Sequence, residues 1–251
     1  MKSSDLRTKF LNYFKDNEHT IMTSASLLPE GDSSVLFNTA GMQPFKKYYI
    51  DPEEAPASRV TTSQKCIRTG DIAEVGDDTH LTFFEMLGNF SFGYPTKEGS
   101  YFKEEAIKFA WTFLTETLGV KPSRIYATYF SGSEGIIEDT QSLNILKTIK
   151  DLHKIVPQGA EDNFWSLGTE NSPGGPTVEF YIDGVEVWNL VFNEYVFTSG
   201  KFMPSVFKGI DTGMGFERLL ASLNDANSVY DTDLLEPIIV KIKDIAGSFK
   251  P

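Results

Sequence analysis

One stretch near the C-terminal end places a carboxylate and a guanidinium on either side of two glycines. Asp211 precedes Gly213 and Gly215, and Arg218 follows them. Because glycine has no Cβ, the backbone at this point can approach a ligand closely. The arrangement suits a substrate that carries both an ammonium and a phosphate group. The same residues also fit a simpler interpretation, in which Asp211 precedes a helix-capping Thr212 and Arg218 is a solvated helix residue.

The elements that must position these residues follow from the spacing of apolar residues. The stretch itself predicts a short strand before Asp211, a tight turn at the two glycines, and then a helix. Asp183-Gly184 is a strong signal for a tight hairpin, so the sheet is predicted to be largely antiparallel. The other predicted elements are helices at 5–17, 101–118 and 138–153, strands at 36–41, 60–67, 83–92, 125–130, 178–182 and 185–197, and a loop at 168–176.

The composition is typical of one globular domain. The chain has 251 residues, of which 40% are hydrophobic, and no apolar run approaches the roughly 20 residues that a membrane span needs. The first residues lack the long apolar core of a secretory signal. We therefore expect a cytoplasmic protein.

Few residues could bind a transition metal, and the charge is strongly negative. The single cysteine, Cys66, excludes an internal disulfide and is expected to be a buried structural thiol. Three scattered histidines, His19, His80 and His153, disfavour a zinc cluster. The formal net charge of −12 opposes broad attraction to a polyphosphate backbone. Contact with nucleic acid is therefore expected to be local or to depend on another module.

Five segments carry a family resemblance. They are Arg-Val-Thr-Thr-Ser-Gln-Lys-Cys-Ile-Arg at 59–68, Phe-Phe-Glu-Met-Leu-Gly-Asn-Phe-Ser-Phe-Gly at 83–93, Asp-Asn-Phe-Trp at 162–165, Trp-Asn-Leu-Val-Phe at 188–192 and Asp-Thr-Gly-Met-Gly-Phe-Glu-Arg at 211–218. These segments resemble the catalytic domain of the alanyl-tRNA synthetases, which are class II aminoacyl-tRNA synthetases. Pro29 matches the family's first motif, 59–93 the second and 211–218 the third.

The resemblance covers nearly the whole chain and implies both a fold and an activity. The implied fold is a single α/β (α+β) domain over residues 1–251, with a six- or seven-stranded, mainly antiparallel sheet flanked by helices. The implied activity is activation of L-alanine by ATP with Mg²⁺, followed by transfer of alanine to the 3′ end of tRNA(Ala). In the first step a carboxylate attacks a phosphate, so the catalyst must neutralise and align two anions.

The resemblance assigns the ATP site to four residues. Arg68 would contact the α-phosphate and the substrate carboxylate, because a planar guanidinium can bind such oxygens in pairs. Arg218 would lie over adenine, with Phe84 on the other face of the base. Arg68 and Arg218 are the implied catalytic residues. His80 falls near the ATP phosphates in the family, although a histidine at a strand start is also often a surface residue.

The resemblance also assigns an alanine pocket. Asp211 would hold the ammonium group, and Asn189 would add a polar contact. Met86, Trp165, Val191 and Gly213 would shape a small apolar pocket for one methyl group, although Trp165 and Val191 also fit ordinary core packing. Such a pocket discriminates poorly against glycine or serine.

Magnesium would bridge the ATP phosphates and be held by few protein carboxylates. Glu179 aligns with a glutamate of the family, and Glu194 stands on the adjoining strand where the family has glutamine. Either residue could equally be a strand-edge acid.

The chain departs from the family pattern in three places. The loop 69–79 is shorter and lacks a basic residue expected near the phosphates, and 168–177 lacks two cysteines. The family's tRNA-recognition, editing and C-terminal domains have no counterpart in residues 1–251. The sequence therefore predicts an activation module that charges tRNA weakly unless a missing module, or a partner chain with a tRNA-recognition domain, assists it.

Two other functions remain open at this point. One is a synthetase paralogue that adenylates a small amino acid for an acceptor other than tRNA. The other is an inactive, ATP-binding partner module, against which the retained arginines argue.

Overall fold

A computed structural model describes residues 1–30, 35–70, 72–133 and 135–247. The strands are β1 Thr20–Ile21, β2 Arg59–Ile67, β3 Phe83–Tyr94, β4 Ile125–Phe130, β5 Ile155–Gln158, β6 Phe164–Ser166, β7 Ser172–Ile182, β8 Val185–Thr198 and β9 Lys201–Gly215. The helices are α1 Ser3–Asp16, α2 Lys103–Thr112, α3 Thr140–Thr148, α4 Ala160–Asn163, α5 Phe216–Leu223 and α6 Glu236–Ala246. A π-helical turn, Phe113–Thr117, extends α2.

The strands form one mixed sheet in the order β1-β2-β3-β9-β8-β7-β4-β5, with β6 paired to β7. The pairs β1–β2 and β4–β5 are parallel, and the other pairs are antiparallel. The predicted α/β class with a mainly antiparallel sheet is confirmed. Within the described ranges the sheet has nine strands rather than six or seven. Short strands account for the difference, since β1, β5 and β6 have only 2, 4 and 3 residues and show no readable period.

Helices α1 and α2 cover one face of the sheet. The apolar stripe of α1, Leu6, Phe10 and Phe14, is fully buried. The ring of Phe10 packs 5.9 Å from Trp188 of β8 and 5.4 Å from Phe113, measured between centroids. Each such side chain contributes about 1.5–3 kcal/mol of hydrophobic stabilisation. This layer fixes the strands whose other face carries the site.

The predicted hairpin at Asp183-Gly184 is confirmed. Ile182 of β7 pairs with Val185 of β8 across these two residues. Asp183 and Gly184 have φ values of 50° and 91°. Positive φ at both central residues is the geometry of a type I′ turn, whose twist matches that of the flanking strands.

The prediction of a tight turn at Gly213 and Gly215 is wrong. Strand β9 continues through both glycines, and α5 begins at the next residue, Phe216. Gly213 pairs with Asn189 of β8, and Gly215 pairs with Met86 of β3. Hydrogen-bonded strands on both sides keep this segment extended. The glycines therefore open space above the sheet instead of reversing the chain.

Two further predictions of secondary structure fail. Residues 36–41 do not form a strand. The backbone of Asn38 makes one hydrogen bond to Leu27 and one to Ile67, and these do not continue into a ladder of strand pairs. The predicted loop at 168–176 overlaps β7, which begins at Ser172. Here the glycines permit close approach of neighbouring strands: a Cβ on Gly175 would lie 1.8 Å from the carbonyl oxygen of Phe192.

Cys66 lies on β2 with no exposed surface and is a free thiol. Burial raises the pKa of Cys66 to about 12. The expectation of a buried structural thiol is confirmed.

Among the described residues, no helix is both long enough and apolar enough to cross a membrane.

Candidate active site

A cavity of about 440 Å³ opens on the face of the sheet opposite α1. Successive residues of a strand point to opposite faces. On β9, Asp211, Gly213 and Gly215 line the cavity, whereas Ile210 and Met214 are fully buried in the core beneath the helices. The structure brings together every predicted site residue except Glu194, namely Arg68, His80, Phe84, Met86, Trp165, Glu179, Asn189, Val191, Asp211, Gly213 and Arg218.

Asp211 presents a buried carboxylate to this cavity. Its side chain is only 6% exposed, and no described residue donates a hydrogen bond to it. Burial raises the pKa of Asp211 to about 7. A carboxylate without a partner in a desolvated position favours a cationic ligand. The position therefore suits an ammonium group.

The space next to Asp211 is small and partly apolar. Met86, Trp165 and Val191 contribute apolar surface to it. A Cβ on Gly213 would lie 2.9 Å from the sulfur of Met86, so any side chain at 213 would displace Met86. This combination favours a ligand with a short apolar side chain.

Arg68 stands just after β2, beside the cavity. Its Nε donates to the carbonyl oxygen of Thr39 at 2.9 Å. The carbon of its guanidinium lies 5.3 Å from the centroid of the Phe84 ring. Within the part of the chain that the structure describes, no carboxylate pairs with Arg68. The guanidinium thus keeps donors for an anion.

Arg218, on α5, is held by the protein. One guanidinium nitrogen lies 2.6 Å from Oε2 of Glu186, and Nε donates to the carbonyl oxygen of Thr79 at 3.3 Å. The ion pair is partly exposed, with 27% and 29% of the two side chains accessible. The contacts orient Arg218 more than they stabilise the fold.

Sequence reasoning missed Glu186. The register of β7 with β8 shifts between Phe180 and Tyr181, so that Trp188 and Glu186 face consecutive residues of β7. Val187 and Trp188 are both buried in the core, and this irregularity turns Glu186 toward the cavity. Simple alternation along β8 cannot reveal such a displacement.

Sequence reasoning also missed Glu217, in the first turn of α5. Its buried carboxylate lines the cavity and accepts the backbone N–H of Glu85 at 3.1 Å. Burial raises the pKa of Glu217 to about 7. A glutamate next to the motif arginine was the available sequence signal.

A group of oxygen atoms lies at the β7–β8 edge of the cavity. Asn189 Nδ2 donates to Glu179 Oε1 at 3.1 Å, and the Tyr181 hydroxyl donates to Glu179 Oε2 at 2.8 Å. Burial, followed by the nearby charge of Glu186, raises the pKa of Glu179 to about 7. Asn189 Oδ1 is buried without a hydrogen-bond partner in the described chain. Two carboxylates and an unpartnered amide oxygen are ligands that Mg²⁺ accepts.

The structure places Glu194 away from the cavity. Its carboxylate is bound by Lys103 at 2.7 Å and Lys208 at 3.2 Å. Lys103 is buried and also pairs with Asp139 at 2.9 Å. Glu194 therefore belongs to a partly buried ion-pair cluster outside the cavity.

His80 lies at the rim of the cavity, in the loop before β3. Its Nδ1 is 2.6 Å from Oδ2 of Asp77. This hydrogen bond and two backbone N–H groups hold the pKa of Asp77 below its usual range. Asp71, in the same loop, lies outside the described residues.

Two solved structures with a similar fold are aminoacyl-tRNA synthetases. Pyrrolysyl-tRNA synthetase from Desulfitobacterium hafniense aligns with a TM-score of 0.51 and 14% identity, covering 92% of this chain and 72% of that one. Aspartyl tRNA synthetase from Entamoeba histolytica aligns with a TM-score of 0.52 and 11% identity, covering 93% of this chain and 56% of that one. The fold is that of the class II synthetases.

A model of the family "tRNA synthetases class II (A)" matches residues 5–250, and the chain belongs to this family. The chain is 42% identical over 275 residues to an alanine--tRNA ligase of Rubrobacter xylanophilus, covering 98% of this chain and 30% of that protein. It is 41% identical over 278 residues to the mitochondrial alanine--tRNA ligase of Saccharomyces cerevisiae, covering 98% of this chain and 27% of that protein. These relatives confirm the resemblance to the alanyl-tRNA synthetases. The chain spans less than a third of their length.

Proposed function

We propose that this domain activates L-alanine with ATP, forming alanyl-adenylate and releasing pyrophosphate. The observation that carries the proposal is the carboxylate of Asp211, which has no partner among the described residues and lies beside a small apolar space in one cavity with Arg68 and Arg218. In the reaction, a carboxylate oxygen of alanine bonds to the α-phosphorus of ATP, and the bond from that phosphorus to the bridging oxygen of pyrophosphate breaks. The relatives named as alanine--tRNA ligases support the choice of amino acid.

The amino acid is held by its charged ends and selected by size. Asp211 binds the ammonium group, and Asn189 adds a polar contact. Met86, Trp165, Val191 and Gly213 surround the methyl group, and the close approach of Met86 to Gly213 excludes larger side chains. Because one hydroxyl or one methyl changes binding only modestly, serine and glycine should compete with alanine for this pocket.

ATP is held by the arginines and one aromatic ring. Arg68 neutralises the approaching carboxylate and α-phosphate, which is where charge develops in the reaction. Arg218, oriented by Glu186, and the ring of Phe84 bind adenine, while His80 lies near the phosphates. These groups supply alignment and charge, since the reaction needs no nucleophile from the protein.

Magnesium would be held by Glu179 with Glu186 and Asn189, whose oxygen atoms fit the ion. When bound, it would neutralise charge on the phosphates of ATP. A bound cation would also offset the cost of burying the Glu179 carboxylate, whose pKa is raised first by burial and then by the charge of Glu186.

We propose further that alanine is transferred to the 3′ end of tRNA(Ala), in the cytoplasm, with help from another module or a partner chain. The chain spans 30% of its Rubrobacter relative. Its net charge of −12 offers little general attraction to an acceptor stem. Recognition of the tRNA body therefore requires residues outside this domain.

The test is alanine-dependent exchange of pyrophosphate into ATP by the purified chain, beside serine, glycine and no amino acid. Exchange with alanine in the absence of tRNA is expected. ATP binding without exchange would instead indicate an inactive partner module. Exchange without any charging at high tRNA concentration would indicate another acceptor.

A further inference from the structure

Four buried polar side chains form a hydrogen-bonded chain behind the alanine subsite. The Thr212 hydroxyl lies 2.6 Å from Asn89 Oδ1, and Asn89 Nδ2 lies 2.7 Å from the Tyr101 hydroxyl. The Tyr101 hydroxyl lies 3.0 Å from His19 Nε2. None of the four residues is more than 3% exposed. Apolar side chains could fill the same space without any need for hydrogen-bond partners, so the presence of four polar side chains needs an explanation.

The direction of each hydrogen bond follows from His19. Its Nδ1 faces two carbonyl oxygens, those of Asn17 at 2.8 Å and Phe14 at 3.1 Å, and must therefore carry the proton. Nε2 then accepts from the Tyr101 hydroxyl, which accepts from the amide nitrogen of Asn89. Burial lowers the pKa of His19 to about 4, which keeps this neutral tautomer at physiological pH. The tautomer of His19 therefore fixes the direction of each hydrogen bond from His19 to Thr212.

The network ends at the residue between two pocket residues. Thr212 follows Asp211 and precedes Gly213, and its side chain points to the opposite face of β9. Its hydroxyl also accepts the backbone N–H of Asn89 at 3.1 Å. Backbone and side chain of Asn89 therefore both bind the Thr212 side chain. Asn89 therefore binds the segment of β9 that carries Asp211 on the face of the sheet opposite the cavity.

The neighbouring strand β3 packs closely against β9 at this point. A Cβ on Gly88 would lie 2.7 Å from the carbonyl oxygen of Thr212. The strands are also in register on either side, at Leu87↔Met214 and Phe90↔Asp211. A shift of Thr212 would therefore move Asp211 and Gly213 with it.

We propose that the buried chain Thr212–Asn89–Tyr101–His19 positions Asp211 and Gly213 for binding of the amino acid. The proposal deepens, and rests on, the proposed alanine activation. The anchor of the chain is His19, which follows α1 and packs edge-on against Phe14 with 4.9 Å between ring centroids. The helical layer thus sets the geometry of the alanine subsite through the sheet. Thr212 and Asn89 are positioning residues, since neither lines the cavity.

The ATP subsite depends on other contacts. Arg68 and Phe84 lie at the ends of β2 and β3, and Arg218 lies on α5. Their contacts with Thr39, Glu186 and Thr79 do not involve the network. Disturbance of the network should therefore weaken binding of alanine more than binding of ATP.

The experiment compares Thr212→Val with Thr212→Ser in the full chain, by pyrophosphate exchange and by calorimetric binding of alanine and ATP. Thr212→Val keeps the shape but leaves two groups of Asn89 unpartnered, and should raise KM for alanine about tenfold, because small displacements in a site have large effects. KM for ATP should stay within about twofold. Thr212→Ser keeps the hydroxyl and should restore alanine binding.

The matched control is Thr62→Val on β2. Thr62 is as buried as Thr212, and its hydroxyl has no hydrogen-bond partner among the described residues. Its replacement should change neither KM. Tyr101→Phe removes one hydroxyl from the middle of the network and provides a second test if Thr212→Val does not fold.

Three outcomes would overturn the positioning role. The first is an equal change in KM for alanine and KM for ATP, and the second is no change in KM for alanine in Thr212→Val or Tyr101→Phe. The third is the same change in KM for alanine in Thr62→Val. Wild-type protein that binds alanine without exchange would contradict the proposed function, and the calorimetric comparison would then decide the positioning role separately. Wild-type protein that does not bind alanine would overturn both.

Discussion

The guanidinium of Arg68 lies over the ring of Phe84, with 5.3 Å between its central carbon and the ring centroid. The pairing of Cys66 with Phe84 in the β2–β3 ladder fixes this distance, because Arg68 follows two residues later. One face of the Phe84 ring therefore lies next to the Arg68 cation, and the two side chains make a cation–π contact. A ligand that stacks on Phe84 arrives beside the arginine proposed to contact its phosphate.

Replacement of Phe84 by alanine should raise KM for ATP about tenfold, since stacking of a base on an aromatic side chain contributes roughly 1–3 kcal/mol. KM for alanine should remain close to that of the wild type. Phe83→Ala is the matched control, because Phe83 is 51% exposed and does not line the cavity. Equal effects of the two substitutions would argue against stacking.

Arg68→Ala should slow pyrophosphate exchange by about 10²- to 10³-fold, the range seen when one donor to a developing anion is lost. Arg68→Lys should recover only part of the rate, because an ammonium cannot form the paired contact of a guanidinium. Lys65→Ala, at an exposed position of β2, controls for loss of a positive charge. Stopped-flow or exchange kinetics at saturating substrates measure the rate, and an unaffected rate in Arg68→Ala would remove this residue from the mechanism.

Asp211→Asn should abolish alanine activation while ATP binding persists, and should also stabilise the fold above neutral pH. Burial raises the pKa of Asp211 to about 7, whereas an aspartate in the unfolded chain titrates near 3.9. The folded state therefore binds more protons between these values, and the wild type loses stability as pH rises through the window. The amide has no charge to bury, so its advantage in Tm should be larger at pH 8 than at pH 4. A lower Tm for Asp211→Asn at pH 8 would contradict this account.

The same carboxylate should make alanine binding pH-dependent. Only ionised Asp211 attracts an ammonium group, so KM for alanine at saturating ATP should rise about tenfold between pH 8 and pH 6, following one titration near pH 7. Glu179, whose pKa burial also raises to about 7, could produce a similar profile. Glu217, which also lines the cavity with a pKa raised by burial to about 7, is a third candidate. Persistence of the profile in both Glu179→Gln and Glu217→Gln would assign it to Asp211, and its loss in one variant would assign it to the residue replaced there.

Glu179→Gln and Glu194→Gln should separate the two residues for which the sequence predicts a metal role. Glu179 lies beside Glu186 and Asn189 at the cavity, so its variant should need several-fold more Mg²⁺ for half-maximal exchange. Glu194 binds Lys103 and Lys208 instead, so its variant should lower Tm without changing the Mg²⁺ requirement. A shifted Mg²⁺ requirement in Glu194→Gln would return this residue to the metal site.

The resemblance identifies eleven of the twenty described residues that line the cavity, because a ligand-binding surface depends on the identity of a few side chains. It cannot identify Glu186, whose direction depends on a register shift opposite Phe180 and Tyr181. It also does not show that Lys103 and Lys208 fold against Glu194, away from the cavity. Neither the register shift between β7 and β8 nor these ion pairs leave a pattern that can be read from the sequence.

The glycines show the same limit for secondary structure. A glycine between two apolar segments normally predicts a turn, and this holds at Gly184, whose φ is positive. At Gly175 and Gly213 the backbone is extended, and glycine is required because a Cβ would meet Phe192 or Met86. The sequence does not show whether a glycine is needed because its φ is positive or because a neighbouring residue lies too close for a Cβ.

The single thiol of the chain gives this enzyme fold a built-in reporter of local opening. Cys66 has no exposed surface and a strongly raised pKa, so a thiol reagent can modify it only when β2 separates from its neighbours. It lies two residues before Arg68 and opposite Phe84. The rate of labelling of the unmutated protein, with and without nucleotide, therefore measures the free energy of opening of β2, the strand that ends just before the arginine proposed to bind phosphate.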